Sequence, residues 1–370
     1  MLPPLQERPQ RVVEIDRLKG LAMLGVICIH AKLGDGTELY EQLINRAVPV
    51  FVVLFGATSE LWWSAQSARV ALGGEARGAL HAWYRTRGLR LLVPAWSAVT
   101  LWWLMAYALG ATTPRHLSWL QLGVSYLGYA PWIGISWFVT LVLQLVLVFP
   151  ALRWVQLRLG DLATLLVAFG LSSLCTWELW QIVDFGYRHL GSGVPKPGWY
   201  YFWIFSPRFF WQVAAGSCIA RFWHARPSAR VTVVAAGVFV VSVVLSHVAR
   251  GAQDDVFAGP LREQIVMRFG DVPLALALLG VAGWLCAQGR AARFLVWLGL
   301  ASWGVYLGHM LVHELFHLTH HAPETGPTAR RVLYALTLLG GGCALARLGD
   351  RLRSLLAAWL TRGKPGVPGS

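Results

Sequence analysis

Long apolar runs alternate with short polar segments along the whole chain. Each run is about 20 residues long, which is the length that an α-helix needs to cross the hydrocarbon core of a bilayer. Ten runs are found, at residues 17–34, 44–66, 89–110, 133–156, 161–183, 201–222, 230–249, 265–287, 292–318 and 331–358. The pattern predicts an all-α, polytopic membrane protein: a single transmembrane domain over residues 1–358 and a flexible Gly- and Pro-rich cytoplasmic tail over residues 359–370.

Composition and charge support the same class. Hydrophobic residues make up 56% of the chain and charged residues only 14%, too few charges to cover a soluble surface. In a soluble protein, the net charge of +14 would suggest that the protein binds nucleic acid. Here, with the N-terminus placed in the cytoplasm, 21 of the 32 Lys and Arg lie on the cytoplasmic side. Basic residues gather there in membrane proteins, so we expect N-in and C-in topology, a lipid bilayer as partner and no nucleic acid.

The first apolar run carries three polar side chains of interest. At about 100° per residue, Asp16, Lys19 and His30 share one helical face, and Lys19 and His30 are about 16 Å apart along the axis. A lone His in an apolar helix is more often a packing residue. An imidazole deep below a basic mouth is, however, well suited to accept a proton at neutral pH.

The segment around these residues resembles the first helix of the acyltransferase-3 family of membrane acyltransferases. That family has an Asp, then an Arg or Lys, ten residues and a His, and Lys19 and His30 fit this spacing. Residues 48–58 resemble the start of its second helix, with Phe55 where Ser is usual. Three further segments are similar to the Arg-rich start of the third helix, the Trp-Phe signature of the fourth and the late Ser-Tyr-x-x-Tyr-Leu-x-His signature: residues 84–94, 136–150 and 298–311.

The resemblance implies transfer of an acyl group, usually acetyl, from an acyl-CoA to a hydroxyl of an envelope or exopolysaccharide sugar, including a lipid-linked one, at the bacterial inner membrane. His30 would deprotonate the acceptor hydroxyl, which attacks the thioester without an acyl-enzyme. Asp16 would orient Lys19 or shape the donor mouth, since it lies too far along the helix to contact His30. No metal is expected.

The anionic donor requires fixed positive charge at the cytoplasmic side. The residues expected to bind the acyl-CoA are Lys19, Arg85, Arg87 and Arg90. Basic residues that only anchor the topology or the lipid headgroups would show the same pattern.

The acceptor side is expected to be aromatic, because aromatic faces stack on sugar rings. A segment at residues 198–211 contains nine aromatic residues around Arg208, although an interfacial aromatic belt would look alike. The expected acceptor-binding residues are Trp137, Trp199, Trp203, Arg208, Tyr306 and His309. Further intramembrane polar groups that would line this cavity or pair with one another are Glu60, Gln144, Glu178, Arg268 and Asp271.

Two other functions remain open from the sequence. His313, Glu314 and His317 match the HExxH motif, in which two His bind zinc and the Glu activates water, so a membrane zinc protease is one alternative. A transporter of a small polar solute is the other, since ten helices with buried charges describe many carriers. Carriers usually show paired halves, and no such pairing is visible here.

Overall fold

The computed structural model describes residues 12–34, 37, 43–71, 76–110, 123, 125–126, 137–190, 206–222, 227–250, 269–285, 289–319 and 326–362. These residues form α-helices and two short 3₁₀ turns, and the described part contains no strand. The helices are α1 (Val13–His30), α2 (Ala47–Ala71), α3 (Ala76–Ala108), α4 (Trp137–Leu159), α5 (Asp161–Leu190), α6 (Phe210–Phe222), α7 (Ala229–Arg250), α8 (Asp271–Leu285), α9 (Arg290–Leu318) and α10 (Thr328–Arg362).

The described residues of each predicted apolar run lie mainly on one of these ten helices. Six of the described helices are long and apolar enough to cross a membrane, namely α2, α3, α4, α7, α9 and α10. The prediction of an all-α, polytopic membrane protein is therefore confirmed.

Several helix boundaries differ from the apolar runs, and three of these differences matter for the site or for the predicted tail. Helix α3 begins at Ala76 rather than at residue 89, because its first turns are amphipathic: Trp83 is buried while Arg85 is exposed. Helix α6 begins only at Phe210, after a 3₁₀ turn at Ser206–Phe209. Helix α10 continues to Arg362, and the rest of the predicted tail lies outside the described residues.

Helix α1 supplies side chains to two apolar cores. Met23, Val26 and Ile27 belong to one apolar core, whereas Ile15 and Leu18 belong to a second. Helix α1 packs most extensively against α9 and also contacts α2, α8 and α10. Because α1 supplies side chains to both cores, its position is fixed from several sides.

Helices α1 and α9 run parallel and approach each other closely at two glycines. A Cβ atom on Gly20 would overlap the carbonyl of Leu295, and one on Gly299 would overlap the carbonyl of Asp16. Small residues at a helix interface allow two backbones to come into contact in membrane proteins. These contacts fix the register of α1 along α9, and that register determines which α9 side chains reach the end of α1.

A buried ionic network joins α2, α4, α5 and α6. Glu60, which is 2% exposed, accepts hydrogen bonds from Arg153 Nε at 3.0 Å and Arg221 Nε at 3.2 Å. Arg221 Nη1 also pairs with Asp161 Oδ1 at 2.9 Å, and the Ser217 hydroxyl donates to Glu60. Glu60 thus pairs within the bundle, which is one of the two roles expected for it.

Candidate active site

Helix α1 ends directly after His30, and a local motif fixes that end. Lys32 takes a left-handed conformation with φ of 49°, and the Leu33 amide bonds the Cys28 carbonyl at 3.0 Å. This six-to-one bond is the Schellman arrangement that closes a helix C-terminus. Arg331 Nη1 of α10 donates to the Lys32 carbonyl at 3.1 Å. The last turn of α1, with His30 on it, is therefore held from outside the helix.

Four histidines meet at this end of α1, and we call them the histidine cluster: His30, His309, His313 and His317. The His30 ring centroid lies 5.2 Å from that of His309 and 5.2 Å from that of His313. The His313 and His317 centroids are 4.4 Å apart. His309 is fully buried, His30 and His313 are half-buried, and His317 is exposed. The cluster therefore extends from the interior of the bundle to its surface.

An aromatic wall continues from the cluster on the side of His309. The Tyr306 ring packs edge-on against His309, with 5.1 Å between the ring centroids. It also stacks on Trp303, with 5.9 Å between the centroids. Phe138 contacts Tyr306 at 5.2 Å, and Trp137 contacts Phe138 at 5.9 Å. The structure thus brings three of the expected acceptor residues, Tyr306, His309 and Trp137, into one chain of contacts that leads to His30.

His309 is the fully buried member of the histidine cluster. It is 0% exposed, and its ring contacts those of His30 and Tyr306. An imidazole can both donate and accept a hydrogen bond.

Arg87, one of the expected donor-binding residues, is held by two contacts. Its guanidinium lies 5.0 Å from the ring centroid of Trp83, and its Nη2 donates to the Thr58 carbonyl at 3.4 Å. Trp83 is itself fully buried and donates through Nε1 to the Val146 carbonyl at 3.0 Å. Trp83 is not among the residues expected from the sequence, although its spacing of four from Arg87 places both on one helical face.

The other residues expected on the donor side lie on α1 and α3. Asp16 is buried and Lys19 is half-buried on α1, whereas Arg85 and Arg90 are exposed on α3. Asp16 and His30 are separated by about 21 Å of helical rise, in agreement with the expectation that they do not touch.

Arg208 lies in the 3₁₀ turn before α6 and is fully buried. Its guanidinium carbon lies 5.4 Å from the ring centroid of Phe209, and the turn is tied to α5 by a hydrogen bond from the Ser172 hydroxyl to the Pro207 carbonyl. Two other expected acceptor residues, Trp199 and Trp203, lie outside the described residues.

The remaining intramembrane polar groups have separate partners. Gln144 Oε1 accepts from the Ser206 amide at 3.2 Å. Asp271 is fully buried, with Arg46 Nη1 at 4.0 Å and Gln212 Nε2 at 3.3 Å. Glu178 is exposed, and Arg268 lies outside the described residues.

The HExxH motif belongs to the histidine cluster. His313 Nδ1 is hydrogen-bonded to the Tyr334 hydroxyl of α10, and its ring contacts His30 and His317. Within the described ranges, no group of three or more His, Cys, Asp and Glu is placed to hold a metal ion. The motif's first histidine thus takes part in the surroundings of His30, a contact that the α9 sequence alone does not reveal.

The comparison with known proteins adds a family. The chain matches the acyltransferase-3 model, described as an acyltransferase domain, over residues 12–347. This range contains α1 to α9 and the first half of α10. No curated protein matches the chain, and no solved structure matches it. With the helical bundle and the family match together, the chain belongs to the acyltransferase-3 family and is a membrane acyltransferase.

Proposed function

We propose that this protein transfers an acyl group, acetyl in the first instance, from acyl-CoA to a hydroxyl of an envelope or exopolysaccharide sugar. The acceptor class includes lipid-linked sugars, and the protein would work in the bacterial inner membrane with the start of α1 facing the cytoplasm. The observation that carries the proposal is the separation on α1 of a basic start, with Lys19, from an imidazole, His30, about 16 Å further along.

The donor would bind with its nucleotide end at the basic side. Acyl-CoA carries phosphates, which bind guanidinium groups in a planar, two-bond geometry. Arg87 is held by Trp83 and the Thr58 carbonyl, so its guanidinium is fixed before a ligand arrives. Lys19, Arg85 and Arg90 would supply further positive charge. The long arm of the donor would then carry the thioester toward His30.

The reaction at His30 is a direct transfer. His30 takes the proton of the acceptor hydroxyl while the hydroxyl oxygen attacks the thioester carbon. The carbon–sulfur bond breaks, and the departing thiolate receives the proton from His30, so that an ester and free CoA are formed. His309 and Tyr306, in contact with each other at 5.1 Å, would hold the acceptor beside His30, and Trp137 and Arg208 would contact it further out.

The test is transfer of label from acetyl-labelled acetyl-CoA by the purified full-length protein. We expect His30→Ala to abolish release of free CoA and transfer of the label, because general-base catalysis contributes about 100- to 10,000-fold to such reactions. His81, an exposed histidine of α3, provides the matched control, and His81→Ala should keep the rate. Near-normal turnover in folded His30→Ala would contradict the mechanism.

The acceptor can be identified separately. Surface glycans from a strain that lacks the gene should lose an acetyl or other acyl mass, measured by mass spectrometry. Complementation with the wild-type gene should restore that mass, whereas His30→Ala should not. Unchanged glycans would exclude an envelope sugar as the acceptor.

A further inference from the structure

The hydrogen bond between His313 and Tyr334 has no role in the transfer as described so far. It joins α9 to α10 directly beside the proposed base: the His313 ring touches His30 at 5.2 Å, and its Nδ1 is bonded to the Tyr334 hydroxyl. Both residues lie outside the motifs through which the chain resembles its family.

We infer that Tyr334 and His313 are positioning residues, which act on the reaction by fixing the ring orientation of His30. The inference rests on the proposed function, in which His30 is the general base. In this arrangement Tyr334 holds His313 by a hydrogen bond, and the His313 ring in turn limits the orientation of His30 by ring packing.

A histidine base needs such a neighbour. Its reacting nitrogen points at the substrate only if the ring is held, and in many hydrolytic sites a third group on the second nitrogen does this. Asp16 cannot serve, since it is about 21 Å from His30 along α1. His313 approaches His30 from the neighbouring helix, with its own ring already anchored.

The hydrogen bond also fixes one edge of the His313 ring. In a neutral imidazole one nitrogen carries the hydrogen and the other accepts. With Nδ1 engaged by Tyr334, Nε2 is the remaining polar atom of the ring. Because the Tyr334 hydroxyl can donate or accept, it orients the His313 ring in either tautomer.

Tyr334 is well placed to be a fixed anchor. It is 2% exposed, and its ring packs edge-on against Phe316 at 5.1 Å. One turn earlier on α10, Arg331 donates to the Lys32 carbonyl at 3.1 Å. The same face of α10 thus holds both the backbone end of α1 and the ring that touches His30.

The first experiment compares Tyr334→Phe with wild type in acetyl-CoA turnover. Phe keeps the packing against Phe316 and removes only the hydroxyl. We expect kcat to fall about five- to tenfold, the effect of one neutral hydrogen bond, while the donor KM stays unchanged. His313→Ala should lower kcat about 100-fold, and His313→Gln, which keeps a hydrogen-bonding group, should recover part of that loss.

A second measurement needs no substrate. Diethylpyrocarbonate modifies neutral imidazoles, and mass spectrometry gives the rate at each histidine. With the His313 ring no longer anchored by Tyr334, the His30 ring should react at least about threefold faster in Tyr334→Phe, a change of the size that loss of one weak hydrogen bond produces. The exposed His81 should react at its wild-type rate, whereas general loosening of the fold would accelerate histidines throughout the chain.

Tyr84→Phe is the matched control, because the Tyr84 hydroxyl also makes one hydrogen bond, to the Leu147 carbonyl at 3.1 Å. An unchanged His30 modification rate in Tyr334→Phe, or an equal change in Tyr84→Phe, would overturn the inference. If wild type fails to turn over any acyl-CoA while the His30 rate still responds to Tyr334→Phe, the proposed function fails and the positioning contact stands.

Discussion

At the scale of single residues, the proposed donor site depends on how firmly the Arg87 guanidinium is held. The face of Trp83 and the Thr58 carbonyl fix Arg87 in place. A cation over a Trp face is stabilised by about 0.5–1 kcal/mol at exposed sites and by more when it is desolvated. Arg87 is half-buried, so its side chain loses little freedom when a phosphate binds. Its guanidinium is therefore prepared to bind the donor.

We predict that Arg87→Gln raises the apparent KM for acetyl-CoA about tenfold with a smaller change in kcat, since hydrogen bonds to charged groups contribute about 1.5–3 kcal/mol. Steady-state kinetics of the purified protein measure this. Arg158→Gln is the matched control, because Arg158 also stacks on a tryptophan, Trp154, at 5.7 Å. An equal KM for wild type and Arg87→Gln would remove Arg87 from the donor site.

At the scale of helices, the site depends on the register between α1 and α9. His30 and His309 could be singled out from the sequence because each stands in a recognisable motif. The contact between His30 and His313 could not, because it depends on where Gly20 and Gly299 meet the opposite backbone. Hydropathy predicts both helices, but it contains no information on their relative position along the helix axis.

The register can be disturbed by a single methyl group. A Cβ on Gly299 would overlap the Asp16 carbonyl, so Gly299→Ala should push α1 away from α9. We predict at least about a 100-fold loss of kcat, because a displacement of about 1 Å can cost that much. The measurement is acetyl-CoA turnover of protein that remains monodisperse in detergent.

Gly340 of α10 has open space where a Cβ would stand, and Gly340→Ala serves as the control. Alanine there should keep the rate, and it should stabilise the helix slightly because glycine is the poorer helix former. Full activity in Gly299→Ala would show that the α1–α9 contact does not control the base.

At the scale of the whole molecule, the Glu60 network is a second fixed point, in a different part of the bundle from the histidine cluster. It joins α2, α4, α5 and α6 through Arg153, Arg221 and Asp161. Sequence reasoning identified Glu60 as an intramembrane charge but could not name its partners, because they come from helices far apart along the chain. Removing one charged partner from a buried network leaves the remaining buried charges without an opposite charge.

Glu60→Gln keeps the size of the side chain and removes its charge. We predict that it lowers the free energy of unfolding in detergent by about 3–5 kcal/mol, as expected for a broken buried pair. Thermal or denaturant unfolding measures the change. Glu178 is exposed, so Glu178→Gln should alter stability by no more than about 0.5 kcal/mol. Equal stability of the two variants would mean that the network does not hold the bundle together.

The parallel pairing of α1 with α9 also has a consequence for biosynthesis. The helix that carries His309 and His313 begins some 260 residues after α1 ends, and Tyr334 comes later still. Until α9 has been synthesised, the His30 imidazole has none of these ring contacts. If the proposed mechanism holds, a chain that stops before α9 should therefore show no acyl transfer.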